Sequence, residues 1–206
     1  MANYYSGNYY LSLSQMKVNA EYIYSYLTDY GWSKNSICAM LGNMQRESTI
    51  NPGIWQNLDS GNTSLGYGLV QWTPATKYLD WCEITGFEPS SMEGNLERII
   101  FEMVNNLQYI PTSDYPETFE QFVQSTKSVE YLASCFLHNY ERAGVSAEEE
   151  RRQNALYWYQ TLTGEIPPID PEEPEEPEEP TKIQKKKHFN FILFNRRRNI
   201  YNARKR

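Results

Sequence analysis

Glu47 follows Met44 by three residues and Met40 by seven, so a helix through this region carries the carboxyl at the end of its own apolar stripe. An acid in that place is either a solvated helix-end charge or a carboxyl set into an apolar wall. In the second case desolvation disfavours the charged form and keeps the group protonated, as a general acid must be near neutral pH. The next residues along the chain suit the second reading. Glu47-Ser48 is succeeded by Asn51-Pro52 and then by a glycine-rich turn that runs into 66-GYGLVQWT-73. Breaking a glycosidic bond takes a proton donor beside a groove in which a polymer lies, and a hairpin next to the donor helix can form one wall of it. Gly66 and Gly68 permit close backbone approach. Gln71 offers sugar hydroxyls a donor and an acceptor, and Trp72 offers a flat face. Taken singly, those two are ordinary structural residues.

A glycosidase that retains or inverts configuration normally has a second carboxylate flanking the bond. Asp59, in the loop 57-NLDSGNT-63, is the first candidate for positioning water or stabilising an oxocarbenium ion. An aspartate among Gly and Asn is equally a turn former. Glu141 is an outside candidate, for which a salt bridge to Arg142 or Arg151 is the plain explanation. If no second acid acts, the substrate's own N-acetyl group can take part, or a single glutamate can yield a 1,6-anhydro product.

The elements that must position these residues are mostly helical. Ser12 with Gln15 reads as a capping box ahead of Met16, Ala20, Ile23, Tyr24 and Leu27, with Gly31 as a stop. Ser33 caps a second helix bearing Ile37, Met40, Leu41 and Met44. Pro74 reads as the first helical position of a third, and Ser90 with Glu93 opens a fourth. Pro116 begins a short fifth, Ser128 to Tyr140 is a sixth, and Ser146 with Glu149 opens the last. Between the second and third, residues 49–73 read as turns plus a small β-hairpin ending in the strand-like run 69–72. The expected fold is one mainly α (α+β) domain over 1–164.

Charge divides the chain further. Residues 1–164 hold 9 Lys+Arg against 18 Asp+Glu, 165–180 hold 8 acids and no base, and 181–206 hold 10 bases and no acid. Prolines at every third residue make 165–180 an extended acidic linker. In the basic tail, 185-KKK-187 and 196-RRR-198 flank the apolar knot Phe189, Phe191, Ile192, Leu193 and Phe194. It suits docking to a virion or an anionic envelope surface, and equally a solvated tail; no nucleic-acid motif is present. Cys38, Cys82 and Cys135 are odd in number and lie in apolar helical contexts, so buried free thiols are expected rather than disulfides. No secretion signal and no apolar run long enough to span a bilayer is read from the sequence.

The string 42-GNMQRESTINPGIWQNLDSGNTSLGYGLVQWTP-74 resembles the phage tail lysozyme family, and looks closest to the lysozyme half of bifunctional tail-tip proteins of small podoviruses. More distantly, Glu47-Ser48 followed by Gly68-Leu69-Val70-Gln71 resembles goose-type lysozymes and soluble lytic transglycosylases, and 140-YERAG-144 is similar to their third, tyrosine-bearing motif. The resemblance covers about residues 8–164. It implies a two-lobed lysozyme-like domain, Glu47 as the acid, and Ser48, Gly68, Gln71, Trp72 and Tyr140 along the substrate groove. The implied substrate is the peptidoglycan glycan strand, cut at the β-1,4 bond between N-acetylmuramic acid and N-acetylglucosamine. The implied place of action is the bacterial wall, reached from the virion tail or from the host cytoplasm at release, possible partners being phage tail proteins. Bifunctional members continue into a zinc endopeptidase. Here only His138 and His188 are present, outside any metal-ligand pattern, so no metal, cofactor or peptidase activity is expected. A structural wall-binding protein that no longer cuts is the competing reading.

Overall fold

The computed structural model of the chain describes residues 4–144 and 147–167. Among these residues are seven α-helices: α1 (Leu13–Asp29), α2 (Lys34–Ser48), α3 (Thr76–Thr85), α4 (Met92–Val104), α5 (Phe119–Gln124), α6 (Val129–Phe136) and α7 (Glu148–Thr163). A 3₁₀ turn covers Gln56–Leu58, and α6 runs on into a π-helical turn, Leu137–Glu141. Most of the expected starts hold. Ser12 and Gln15 form the capping box of α1, and Ser33 accepts from Ser36 N at the head of α2. Ser128 caps α6; α5 starts at Phe119, capped by Thr118 with Gln121, three residues after the expected start at Pro116. The cap of α4 is Ser91 rather than Ser90, because Glu93 is drawn off to accept from the Tyr4 and Tyr22 hydroxyls. Pro74 lies outside α3, in a cis Thr73–Pro74 peptide, and the helix starts two residues later. Ser146, the acidic linker beyond 167 and the basic tail lie outside the described residues. Glu165, at the start of that linker, still packs on the domain through Lys34 and the Tyr159 hydroxyl.

α2 is the axis of the domain. The sequence shows one apolar stripe, yet every residue from Asn35 to Met44 is buried, because α1, α5, α6 and α7 surround it. The polar faces are buried without orphaned groups. Asn35 donates to the carbonyls of Thr126 and Lys127, Ser36 lies on that of Val123, and Asn43 donates to those of Ala39 and Ala133. All three cysteines are free and buried, as expected.

The small residue in α2 sets the tightest contact. A Cβ on Gly42 would stand 2.5 Å from the Arg151 carbonyl oxygen and 2.6 Å from Ala155 N. Backbone atoms cannot yield as a side-chain tip can, so α7 lies this close only because residue 42 is glycine.

The expected β-hairpin is reduced to two isolated antiparallel bridges, Trp55 with Tyr67 and Tyr67 with Trp72. The run Leu69–Gln71 is a tight turn closed by Trp72 N on Tyr67 O at 3.1 Å, with Gly68 and Gln71 at positive φ. A short apolar run between glycines reads as a buried strand from composition alone; here Leu69 and Val70 are buried at the apex of the turn.

Gly42→Ala is expected to lower folding stability by about 1–3 kcal/mol, since the new methyl must push two backbones apart. Chemical denaturation of both proteins measures it.

Candidate active site

α2 ends abruptly after Glu47-Ser48. Thr49 and Ile50 both take left-handed backbone angles (φ 53° and 55°), which reverse the chain. Asn51 then fixes the new direction: its side chain donates to the Gly7 and Tyr9 carbonyls and accepts from Gly7 N and Gly53 N. Glu47 is thereby left at the rim of a cleft of about 550 Å³. Its walls are the end of α2 (Arg46, Glu47), the segment 54–57, the turn 70–73, Lys77 on α3, and Gln108 with 140–144.

The surroundings of Glu47 differ from the apolar wall expected. Its side chain is 20% exposed and Arg151 Nη2 donates to Oε1 at 2.5 Å, while the Arg151 side chain itself is only 3% exposed. Arg151 Nη1 also donates to Asn43 Oδ1 at 3.1 Å. The guanidinium therefore bridges two residues of α2 one turn apart, and it reaches them because Gly42 lets α7 in.

Under the cleft lies a fully buried acid. Glu102 on α4 accepts from Arg98 Nε at 2.9 Å, from Trp72 Nε1 at 3.0 Å, and from the Tyr140 hydroxyl. Burial pushes its carboxyl above the usual range, and Arg98 and the three hydrogen bonds pull it back only in part. Tyr140 stacks on Phe136 at 4.5 Å and its hydroxyl is held well above its ordinary pKa by burial and by Glu102. The π turn has its own lock. Arg142 N donates to Leu137 O at 2.7 Å, the Arg142 guanidinium donates to the Gln108 and Asn139 carbonyls, and Gln108 donates to Tyr140 O. Wide turns of this kind recur at functional sites, and this one delivers Glu141 to the cleft wall.

The residues singled out from sequence thus take different places. Glu47 and Gln71 line the cleft. Gln71 spends its amide donors on Gly68 O (2.9 Å) and Ile54 O (3.3 Å). Trp72 and Tyr140 edge the cleft but are buried, 3% and 1% exposed. Trp72 has one face on Tyr78 at 4.5 Å, so it forms floor and leaves no open face for a sugar. Ser48 is buried on Leu69 O at 2.8 Å and ties the end of α2 to the turn instead of reaching the groove. Gly68 is not among the cleft-lining residues; the close approach it permits is to Asn95, whose Oδ1 a Cβ there would meet at 2.6 Å. Asp59 stands on the exposed loop, accepting from Asn62 Nδ2 at 2.8 Å, and is not among the cleft-lining residues. His138 stacks on Tyr115 and pairs with Glu148.

Sequence reasoning missed Trp55 and Tyr10, the aromatics that do face the cleft, Tyr10 being 60% exposed. It also missed Glu102 and Arg151 in their bonded roles. The i, i+4 spacing of Arg98 and Glu102 on the apolar face of α4 was a usable signal for the buried pair. Nothing local marks Arg151 as the partner of an acid 104 residues away.

A helical domain with a carboxyl at a helix end, facing a cleft beside a glycine-rich turn, is lysozyme-like in design. The phage tail lysozyme family matches residues 18–162, and the chain belongs to that family. Among curated relatives, Morphogenesis protein 1 of Bacillus phage B103 is 56% identical over 162 residues, 79% of this chain and 44% of the relative. The chain thus spans less than half the length of that relative.

Two acids with raised proton affinity give stability a defined pH dependence. Burial pushes Glu102 above its ordinary 4.5, and burial first and the Glu47 charge next push Glu141 well above it. Above about pH 4.5 the unfolded chain releases protons that the folded chain retains, so stability contributed by these groups is lost as pH rises through the folded values. In unfolding titrations across this range, Glu141→Gln is expected to fall less steeply with pH than wild type, by up to about 1.4 kcal/mol per pH unit.

Proposed function

We propose that this domain is a peptidoglycan hydrolase that cleaves the β-1,4 bond between N-acetylmuramic acid and N-acetylglucosamine, with Glu47 as the proton donor. The observation that carries the reading is the placement of Glu47 at the rim of an open cleft, its carboxyl backed by a buried arginine. Proton transfer from Glu47 to the glycosidic oxygen lets the C1–O bond break and leaves an oxocarbenium-like sugar. The carboxylate produced is received by Arg151, a cation already in place and already desolvated, so this stabilisation requires no reorganisation during the step. Water adding to C1 completes hydrolysis. Tyr10, exposed at the cleft, and Trp55, half-buried against Tyr67, offer ring surface to the glycan, and Gln71 lines the same groove.

The family and the relative's name, a morphogenesis protein, support action from a virion tail during entry. The basic segment 181–206 then docks to the virion or to the anionic envelope, with the acidic linker 165–180 as its tether. No helix among the described residues is long and apolar enough to cross a membrane.

Digestion of purified peptidoglycan, with mass spectrometry of the released muropeptides, tests this. Wild type is expected to release reducing-end muramic products and Glu47→Gln to be slower by about 10²-fold or more. Anhydro-muramic ends would make the enzyme a lytic transglycosylase. No release by wild type would leave a wall-binding tail protein.

A further inference from the structure

Acids outnumber bases 18 to 9 in residues 1–164, so a base in this domain has carboxylates to choose from on every side. Seven of the nine Lys and Arg are ion-paired. The two that are not, Lys77 and Arg142, both line the cleft. Arg142 is otherwise engaged, since its Nη1 donates to the Gln108 and Asn139 carbonyls and holds the π turn. Lys77 has no such task. Its side chain is exposed, and among the described residues its ammonium group has no ion pair, no hydrogen bond and no ring beneath it.

The place of Lys77 in α3 argues against a stabilising role for the charge. It is the second residue of the helix, where the helix dipole presents its positive end and disfavours a cation. The first turn holds no acid to answer it, and Asp80 and Glu83 farther along α3 leave it unpaired. A lysine that weakens its own helix and satisfies nothing within the domain is set for something that enters the cleft. The proposed substrate carries the matching group. Alternate sugars of a peptidoglycan strand bear short stem peptides with free carboxylates, and a domain of net negative charge repels such a strand at long range. Lys77 offers the strand a free cation on α3, on a different wall from the Glu47 end of α2.

We propose that Lys77 is a specificity-determining residue that binds a stem-peptide carboxylate of the strand lying in the cleft, so that peptide-bearing glycan is preferred over uncharged glycan. The proposal rests on the peptidoglycan reading of the site. A lysine suits the task, because stem peptides are mobile and an ammonium on a flexible stem follows a carboxylate without demanding a fixed fork geometry. The contact is exposed to solvent, so it contributes a modest factor and is screened by salt.

The test uses glycan strands freed of teichoic acid in two forms, native and with their carboxyls amidated by carbodiimide and ammonia. Binding to each at low salt is compared between Glu47→Gln, which leaves the strands uncut, and the same protein with Lys77→Gln added. On native strands the added change is expected to weaken affinity by about three- to five-fold, and on amidated strands to leave it where it was. Lys77→Arg, which keeps the charge, is expected to hold the native affinity. The difference at residue 77 is expected to fade as salt rises towards about 1 M. An equal loss on native and amidated strands, as a merely structural lysine would give, overturns the proposal, and so does no loss on native strands. A second readout needs no change at Glu47: the rate of muropeptide release at low substrate by wild type and Lys77→Gln is expected to differ by the same factor, on native peptidoglycan alone. If neither form of the strand is bound or cut, the glycan reading of the cleft fails, and the role of Lys77 falls with it.

Discussion

The site depends on how closely α7 approaches α2. That approach is allowed at Gly42, where any side chain would strike the backbone of Arg151 and Ala155. Arg151 then lies deep enough to bridge Asn43 and Glu47. A buried arginine is tolerated only with its charge answered and its donors used, so the same contact that closes the core also dictates where an acid must be. The polar centre is a consequence of packing, and the cleft opens where the packing stops.

A second arrangement supports the first from below. Glu102 gathers Arg98, Trp72 and Tyr140 on one carboxyl, linking α4, the turn after the glycines, and the π turn. Trp72 and Tyr140 edge the cleft while spending their polar atoms underneath it. Ser48 plays a similar part by tying the end of α2 to Leu69. Residues recognisable by motif thus divide into those that line the cleft and those that hold the lining residues still. Precision at a reacting centre depends on the second group as much as on the first.

Much of the helical frame was legible because it is written locally. Ser12, Ser33 and Ser128 announce helix starts through side chains that reach only three residues, and the apolar spacing of α1 and α4 shows which face is buried. The candidate acid was legible because a carboxyl at the end of an apolar stripe breaks a local rule. What escaped was set by long-range contact. The segment 69–72 has the composition of a strand but no neighbour to pair with in a ladder, so it folds as a turn. Trp72 resembles a sugar platform until Tyr78 is placed against its face. Trp55, in the same string, is the ring left open to the cleft. Glu141 was explained by a salt bridge to Arg142 or Arg151, yet the Arg142 guanidinium turns to backbone carbonyls, Arg151 donates to Glu47, and the Oε1 of Glu141 has no hydrogen-bond partner among the described residues.

The central claim is that the scissile bond lies against Glu47, in the cleft walled by Trp55, Gln71 and Glu141. The most direct measurement is a crystal structure of Glu47→Gln bound to a peptidoglycan oligosaccharide long enough to span that cleft. The account predicts a glycosidic oxygen within about 3 Å of the residue 47 side chain, with sugar rings against Trp55 and Tyr10. A glycan seated away from residue 47, along the Asp59 loop or on another face, would contradict it.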